Sequence, residues 1–344
     1  MAGNVLGPMW ARATGWFDSN AQRVTREFIA DPGGSEVAPY SGYLRIFLAE
    51  GFLAKAATWG NKHFPVLHGG AALSFLGGAT PFTTFAQPQG TLTAPGAQLD
   101  FPLTPLLPFN GGVVEVEASL YQASTTGPLV TALQIVGGFD SLLAPPLSLA
   151  ATIAGKVADG VDAVLGTEQP VLSVHWTMVA PGGSGNVLRP GSLVVISKPR
   201  DALGGSLSIG DNLGLCVDDG RGPRQLTGVD YLVVRIECRA ERDDWRFPEL
   251  DKLIQEAGRA AINGYAEMFE DCRAEAITRA WNSPDLTPND RVRVAKLVAE
   301  QIDATRKLGV VPGPDLSIEA AAAERLPAPD APELRGLTLR DLLG

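Results

Sequence analysis

The chain has 344 residues, 45% of them apolar and 19% charged, with 28 Lys and Arg against 38 Asp and Glu for a formal net charge of −10. That much apolar material builds a sizeable core and excludes disorder over most of the length; one large or two ordinary domains are expected. The acidic balance argues against general nucleic-acid binding, because displacing counterions from phosphates needs a basic surface.

The first residues, MAGNVLGPMWARATGWF, have no basic segment leading into a continuous apolar stretch, so no secretory signal is expected. Trp10, Ala13, Phe17, Ala21, Val24 and Phe28 recur three or four apart, which predicts a helix in 1–34 that stops at Asp31-Pro32-Gly33-Gly34. Beyond it, 35–241 read as an antiparallel β-sandwich with inserted helices. Tyr43–Ala49 and Phe64–Phe75 are strand candidates. Val114, Val116, Ala118 and Leu120 alternate with Glu115, Glu117 and Ser119, the period of a strand with one wet face. Leu149, Ile153, Val157, Val161 and Val164 fall on one helical stripe. Residues 171–179 alternate again, with Leu172, Val174, Trp176 and Met178 inward. His175 then lies on the opposite, wet or partner-facing side. Leu193–Lys198 and Tyr231–Arg239 complete the strands, and Gly pairs such as Gly69-Gly70 and Gly204-Gly205 punctuate them.

Charge density marks the next boundary. Residues 1–240 hold 14 basic and 18 acidic side chains; 241–344 hold 14 and 20 in fewer than half as many positions. The shift falls at Arg242–Pro248. From there an apolar stripe running from Leu250 to Cys272 predicts one helix over Pro248–Trp281. A second follows Thr287-Pro288, so 242–312 read as a helical hairpin. Residues 313–344 are an Ala/Pro-rich linker and a leucine-containing tail. The fold class expected is therefore α+β: a sandwich with inserted helices, then a C-terminal helical hairpin and an extended tail.

Motifs of nucleotide and hydrolase chemistry are missing. Gly155-Lys156 is followed by Val157 and lacks the glycine of a P-loop; Gly183 and Gly185 meet Leu188 where a dinucleotide fingerprint needs glycine. There is no G-x-S-x-G elbow or H-E-x-x-H helix. Cys216, Cys238 and Cys272 are too sparse for a disulfide framework or a paired zinc pattern, and fit a reducing cytosol. A Cys/His site would need His63, His68 or His175 beside one of them. Asp211, Asp218 and Asp219 supply oxygen ligands on loops, but equally an ordinary Asp-Gly turn. Arg242, Asp243, Asp244 and Arg246 surround Trp245 in a polar knot, read as ion pairs at the domain junction with Trp245 as apolar anchor.

Partner surfaces are the stronger expectation. Leu334, Leu337, Leu339, Leu342 and Leu343 crowd the tail, either to fold back on their own domain or to fill a groove on another chain. His63–Gln98 contains no Asp, Glu, Lys or Arg, and between Glu117 and Lys156 only Asp140 is charged. No run of about 18 apolar residues predicts a constitutive membrane span. An Arg-to-Lys ratio of 21 to 7 suits a GC-rich bacterial genome. The reading is a non-enzymatic cytosolic assembly component that needs no cofactor and takes a protein partner or self-associates through its tail and charge-poor strands. A cysteine- or metal-dependent hydrolase and a membrane-active effector are the alternatives.

Overall fold

A computed structural model describes residues 7–55, 57–58, 61–75, 78–86, 98–124, 169–212, 214–242, 244–308 and 326–344. The helix predicted around Ile153 lies outside the described residues, as do Asp243, Gly309 and much of the charge-free region. The chain divides into two compact units, Met1–Pro39 with Leu44–Cys238, and Tyr40–Tyr43 with Arg239–Gly344.

The first unit opens with helix α1 (Gly7–Asn20) and strand β1 (Thr25–Ala30). The stripe predicted as one helix to Phe28 therefore breaks after Asn20. TREFIA is rich in the branched and aromatic side chains that suit an extended strand, and its backbone finds a ladder far along the chain, Thr25 opposite Ile196 through Ala30 opposite Gly191. Long-range pairing overrides the helical spacing. The strands that follow are β2 (Tyr43–Phe52), β3 (Ala57–Thr58), β4 (Asn61–Phe75), β5 (Gly78–Ala86) and β6 (Gln98–Pro102). Next come β7 (Leu107–Pro108), β8 (Val113–Ser124), β9 (Leu172–Val179), β10 (Asn186–Val187) and β11 (Gly191–Ile196). Then β12 (Ser206–Ile209), β13 (Leu215–Asp218), β14 (Pro223–Gln225) and β15 (Tyr231–Arg239) complete the set.

They form two main sheets. The first runs β1-β11-β15-β2-β6 with β7 on β2; the second runs β10-β9-β8-β4-β3 with β5 on β4. The ladders β1–β11, β11–β15, β2–β6, β3–β4, β4–β5, β4–β8 and β8–β9 are antiparallel, and the two-residue β9–β10 pair is parallel. Alternate residues of both sheets meet in one buried cluster: Leu44, Ile46, Leu48, Leu193, Val195, Leu232 and Val234 from the first, Leu67, Leu73, Val114, Val116, Leu120, Leu172 and Val174 from the second. This is the predicted sandwich, built on period-two alternation. Gly69 is one close approach between the two sheets, since a Cβ there would stand 2.8 Å from Leu48 Cδ2 and 3.1 Å from Leu103 Cδ2. A three-stranded sheet, β12-β13-β14, forms a second cluster in which Leu207, Leu215 and Val217 meet Val194, Ile196 and Val233. The first sheet is thereby buried on both faces, which is why β11 and β15 read as near-continuous apolar runs.

The second unit is built on α2 (Pro248–Asn263), α3 (Ala266–Trp281) and α4 (Pro288–Leu308), with a short α5 (Leu339–Leu343). The single helix predicted over Pro248–Trp281 is two. Gly264 adopts φ 73°, and its N–H reaches back to the Ala260 and Ala261 carbonyls, the left-handed stop that glycine accepts without Cβ strain. The stripe residues at the break itself, Tyr265 and Met268, are exposed, whereas the two helices on either side of it serve one core. Leu250, Ile254, Phe269, Ile277, Val294, Val298 and Ile302 pack together there, so the predicted hairpin is a three-helix unit. Thr287 caps α4 as expected, its Oγ1 accepting from the Asp290 N–H at 3.3 Å.

Candidate functional site

The residues singled out at the boundary and the tail all lie in the helical unit. Arg242 is 6% exposed; its Nε and Nη2 donate to Asp244 at 2.8 and 3.2 Å, and its Nη1 to the Asp285 carbonyl at 3.1 Å. Trp245 is a buried member of the helical core. Leu342 joins that core too, Leu337 and Leu339 pack half-buried against it, Leu334 is half-buried, and Leu343 stays 37% exposed. A capping box holds α5: Asp341 N–H donates to Thr338 Oγ1, while Asp341 Oδ2 accepts from the Thr338 N–H at 2.8 Å. Donation from the Thr338 hydroxyl at 2.6 Å, and then from its N–H, holds the Asp341 carboxyl below the usual carboxylate range.

Cysteine chemistry gains no support from its surroundings. Burial, reinforced by Glu237 and Asp31, pushes the Cys238 thiol up to about 12. Burial also raises Cys216 and Cys272. A nucleophilic thiol needs the opposite shift. The acidic loop is a turn: Asp218 Oδ1 accepts from the Gly220 and Gly222 N–H groups at 2.8 and 3.1 Å, and Asp219 pairs with Arg224 at 3.3 Å. Among the described residues, no three His, Cys, Asp or Glu side chains are grouped to hold a metal ion.

Two features depart from the sequence reading. The first is the corner between α2 and α3: Tyr265 and Met268, expected on the buried stripe from Leu250 to Cys272, are 60% and 48% exposed, and Ile262 is 52% exposed. Three large apolar side chains within seven residues are unusual in water. Glu267, Glu270 and Asp271 are exposed beside them.

The second is the outer face of the second sheet. The sequence reads Glu117 and Ser119 as wet, yet they are 3% and 2% exposed; His68 and Ser173 are 0% and 1%. Pairing between β4, β8 and β9 sets Ser119 opposite both His68 and Ser173, and Glu117 opposite His175. Glu117 links the row: Oε2 lies 3.0 Å from His68 Nδ1, and Oε1 accepts from the Ser119 hydroxyl at 2.6 Å. His68 Nε2 meets Thr83 Oγ1 at 3.0 Å, and the Ser119 and Ser173 hydroxyls are 2.7 Å apart. Buried polar groups stay folded only when joined in this way.

His175, expected on a wet or partner-facing surface, is covered by α1. Its ring stacks on Trp10 with centroids 5.4 Å apart, and Nε2 lies 3.6 Å from Glu115 Oε1. Burial pulls its pKa below the ordinary histidine value, against the opposing pull of Glu115 and Glu117. Strand alternation separates the two faces of a sheet but does not say what covers the outer one, so the polar row had no signal in periodicity. No helix among the described residues is long and apolar enough to cross a membrane. No family model, curated protein or solved structure matches this chain.

Proposed function

We propose that this protein is a non-enzymatic component of a protein assembly, working in a reducing, cytosolic setting and docking through its helical unit. The observation that carries this reading is the exposed apolar corner of Ile262, Tyr265 and Met268. Interface cores favour aromatic and Met side chains that fill a partner's pocket. The acidic neighbours Glu267, Glu270 and Asp271 call for a partner with apolar sockets and a basic rim. Glu270 already holds Arg306 at 2.7 Å, a model of such a pairing within the chain. Leu343 is a second contact point, on a tail seated by Leu337, Leu339 and Leu342. Raised thiols and three free cysteines agree with this reading.

Two fluorescent helical peptides of equal charge test the docking chemistry, one carrying Leu and Lys on opposite faces and one carrying Ser and Lys. Anisotropy should report binding of the Leu/Lys peptide alone, lost in the triple variant Ile262→Ser, Tyr265→Ser, Met268→Ser. Equal binding of both peptides, or an undisturbed triple variant, would refute docking at this corner.

A further inference from the structure

The sandwich unit carries a ladder of rings and guanidinium groups where β1, the outermost strand of the first sheet, meets β9 of the second. Phe28 on β1 stacks on Trp176 on β9, with centroids 6.4 Å apart and planes 6° from parallel. The Arg189 guanidinium lies over Phe28 at 5.6 Å; Arg26 lies over Trp176 at 5.2 Å and over Phe17 of α1 at 4.2 Å. Beside the ladder is a cavity of about 300 Å³ lined by Phe28, Trp176, Met178, Val187 and Arg189, with Glu36 in the wall as well. That is the lower end of small-molecule sites, roughly 300–1,000 Å³, and suits one large side chain. Many arginines of this acidic chain hold a carboxylate, as Arg235 holds Asp100 at 3.0 Å and Arg273 holds Asp303 at 2.7 Å. Arg26 and Arg189 are exposed and have no ion pair among the described residues; Asp18 acts on Arg26 only from beyond that range. An arginine laid flat on a ring keeps its N–H edge for an incoming carboxylate.

The helical corner has the complementary form. Beside the exposed Ile262, Tyr265 and Met268, Glu267 and Asp271 have no ion pair among the described residues. Arg259, exposed one turn before Ile262 on α2, is a counter-charge for Glu36. We infer that the partner of this corner is a second copy of the chain, whose cavity beside Phe28 and Trp176 seats Tyr265 while its Arg26 and Arg189 meet Glu267 and Asp271. The inference rests on the corner reading above and names the occupant: an apolar socket rimmed by two guanidinium groups is the surface that corner calls for. A net charge of −10 drives copies apart wherever such patches do not meet, which confines association to this pairing. The two faces differ, so the contact is head-to-tail and every copy offers both.

Sedimentation velocity of the full chain tests it. At about 100 μM and low salt the wild type should run heavier than a monomer, and high salt should weaken the association. The triple variant Ile262→Ser, Tyr265→Ser, Met268→Ser and the double variant Arg26→Glu, Arg189→Glu should each run as a monomer. Mixed in equal amounts they should pair and stop at a dimer, because each supplies the face that the other lacks. Circular dichroism establishes that each is folded; Arg189→Ala, expected to weaken association about tenfold, carries the groove arm if the double variant is not. A monomeric wild type, association surviving in either variant alone, or a mixture that stays monomeric would overturn the assignment. Binding of the Leu/Lys peptide by a monomeric wild type would strike the second copy and leave docking at the corner standing, whereas neither association nor peptide binding would strike both.

Discussion

The sandwich unit and the helical unit depart from the usual sorting of side chains in opposite directions. The first hides His68, Glu117, Ser119 and Ser173 from water on a sheet face that sequence alternation marks as wet; the second leaves Ile262, Tyr265 and Met268 in water on a corner between helices. In the sandwich, hydrogen bonds among neighbouring strands make the buried polar row tolerable, so its members depend on one another. At the corner each apolar side chain is about half exposed, and none of the three belongs to the buried helical core. Polar residues inside are therefore bound up with stability, and apolar residues outside are free to serve recognition.

The sharpest way to break this contrast is Glu117→Ala. Removing the carboxylate strips His68 and Ser119 of their shared partner, and breaking a buried pair of this kind costs about 3–5 kcal/mol. Urea unfolding should show it; a change near zero would mean that the outer face is effectively hydrated. Leu342→Ala comes next. It removes a buried side chain that seats the tail, with an expected loss of about 2–3 kcal/mol and faster proteolysis around Pro327–Leu334. Equal proteolysis would detach the tail from the helical core.

Alkali gives a smaller effect. Cys238 is raised from 9.0 to about 12, so the folded state keeps a proton that the unfolded state gives up first. Its share of stability is complete below pH 9 and declines as pH climbs from there toward 12. The decline should be shallower in Cys238→Ala, and native Cys238 should resist a thiol reagent at pH 8 that labels the unfolded chain. The smallest effect belongs to Tyr265→Ser, which should shift stability by no more than about 0.5 kcal/mol. It should nevertheless weaken the Leu/Lys peptide, separating recognition from folding.

Period-two alternation located β8, β9 and β15 because each has one continuous face in the same core, and the α+β sandwich follows from that. Where a segment's fate depends on a distant partner, the same reading failed. Phe28 fits a helical stripe, and the ladder to β11 makes its segment, Thr25–Ala30, a strand. Asn263-Gly264 is a strong local stop, but the stripe on either side masked it. The thiols and the Asp218–Gly222 turn were legible because their chemistry is local. The His68–Glu117–Ser119–Ser173 row was not, because it assembles from three strands and depends on burial of the outer sheet face.

The helical unit also takes in Tyr40–Tyr43 from far upstream. Tyr43, fully buried, donates its hydroxyl to Asp290 Oδ2 at 2.5 Å and accepts the Thr287 N–H at 3.0 Å; Asp290 in turn holds the buried Arg293. A fragment beginning at Arg239 would lack this aromatic plug and leave the start of α4 incomplete. During translation the tyrosine emerges long before the helix it closes. The unit is thus a composite of early and late chain, which neither a protease cut nor a split gene can release whole.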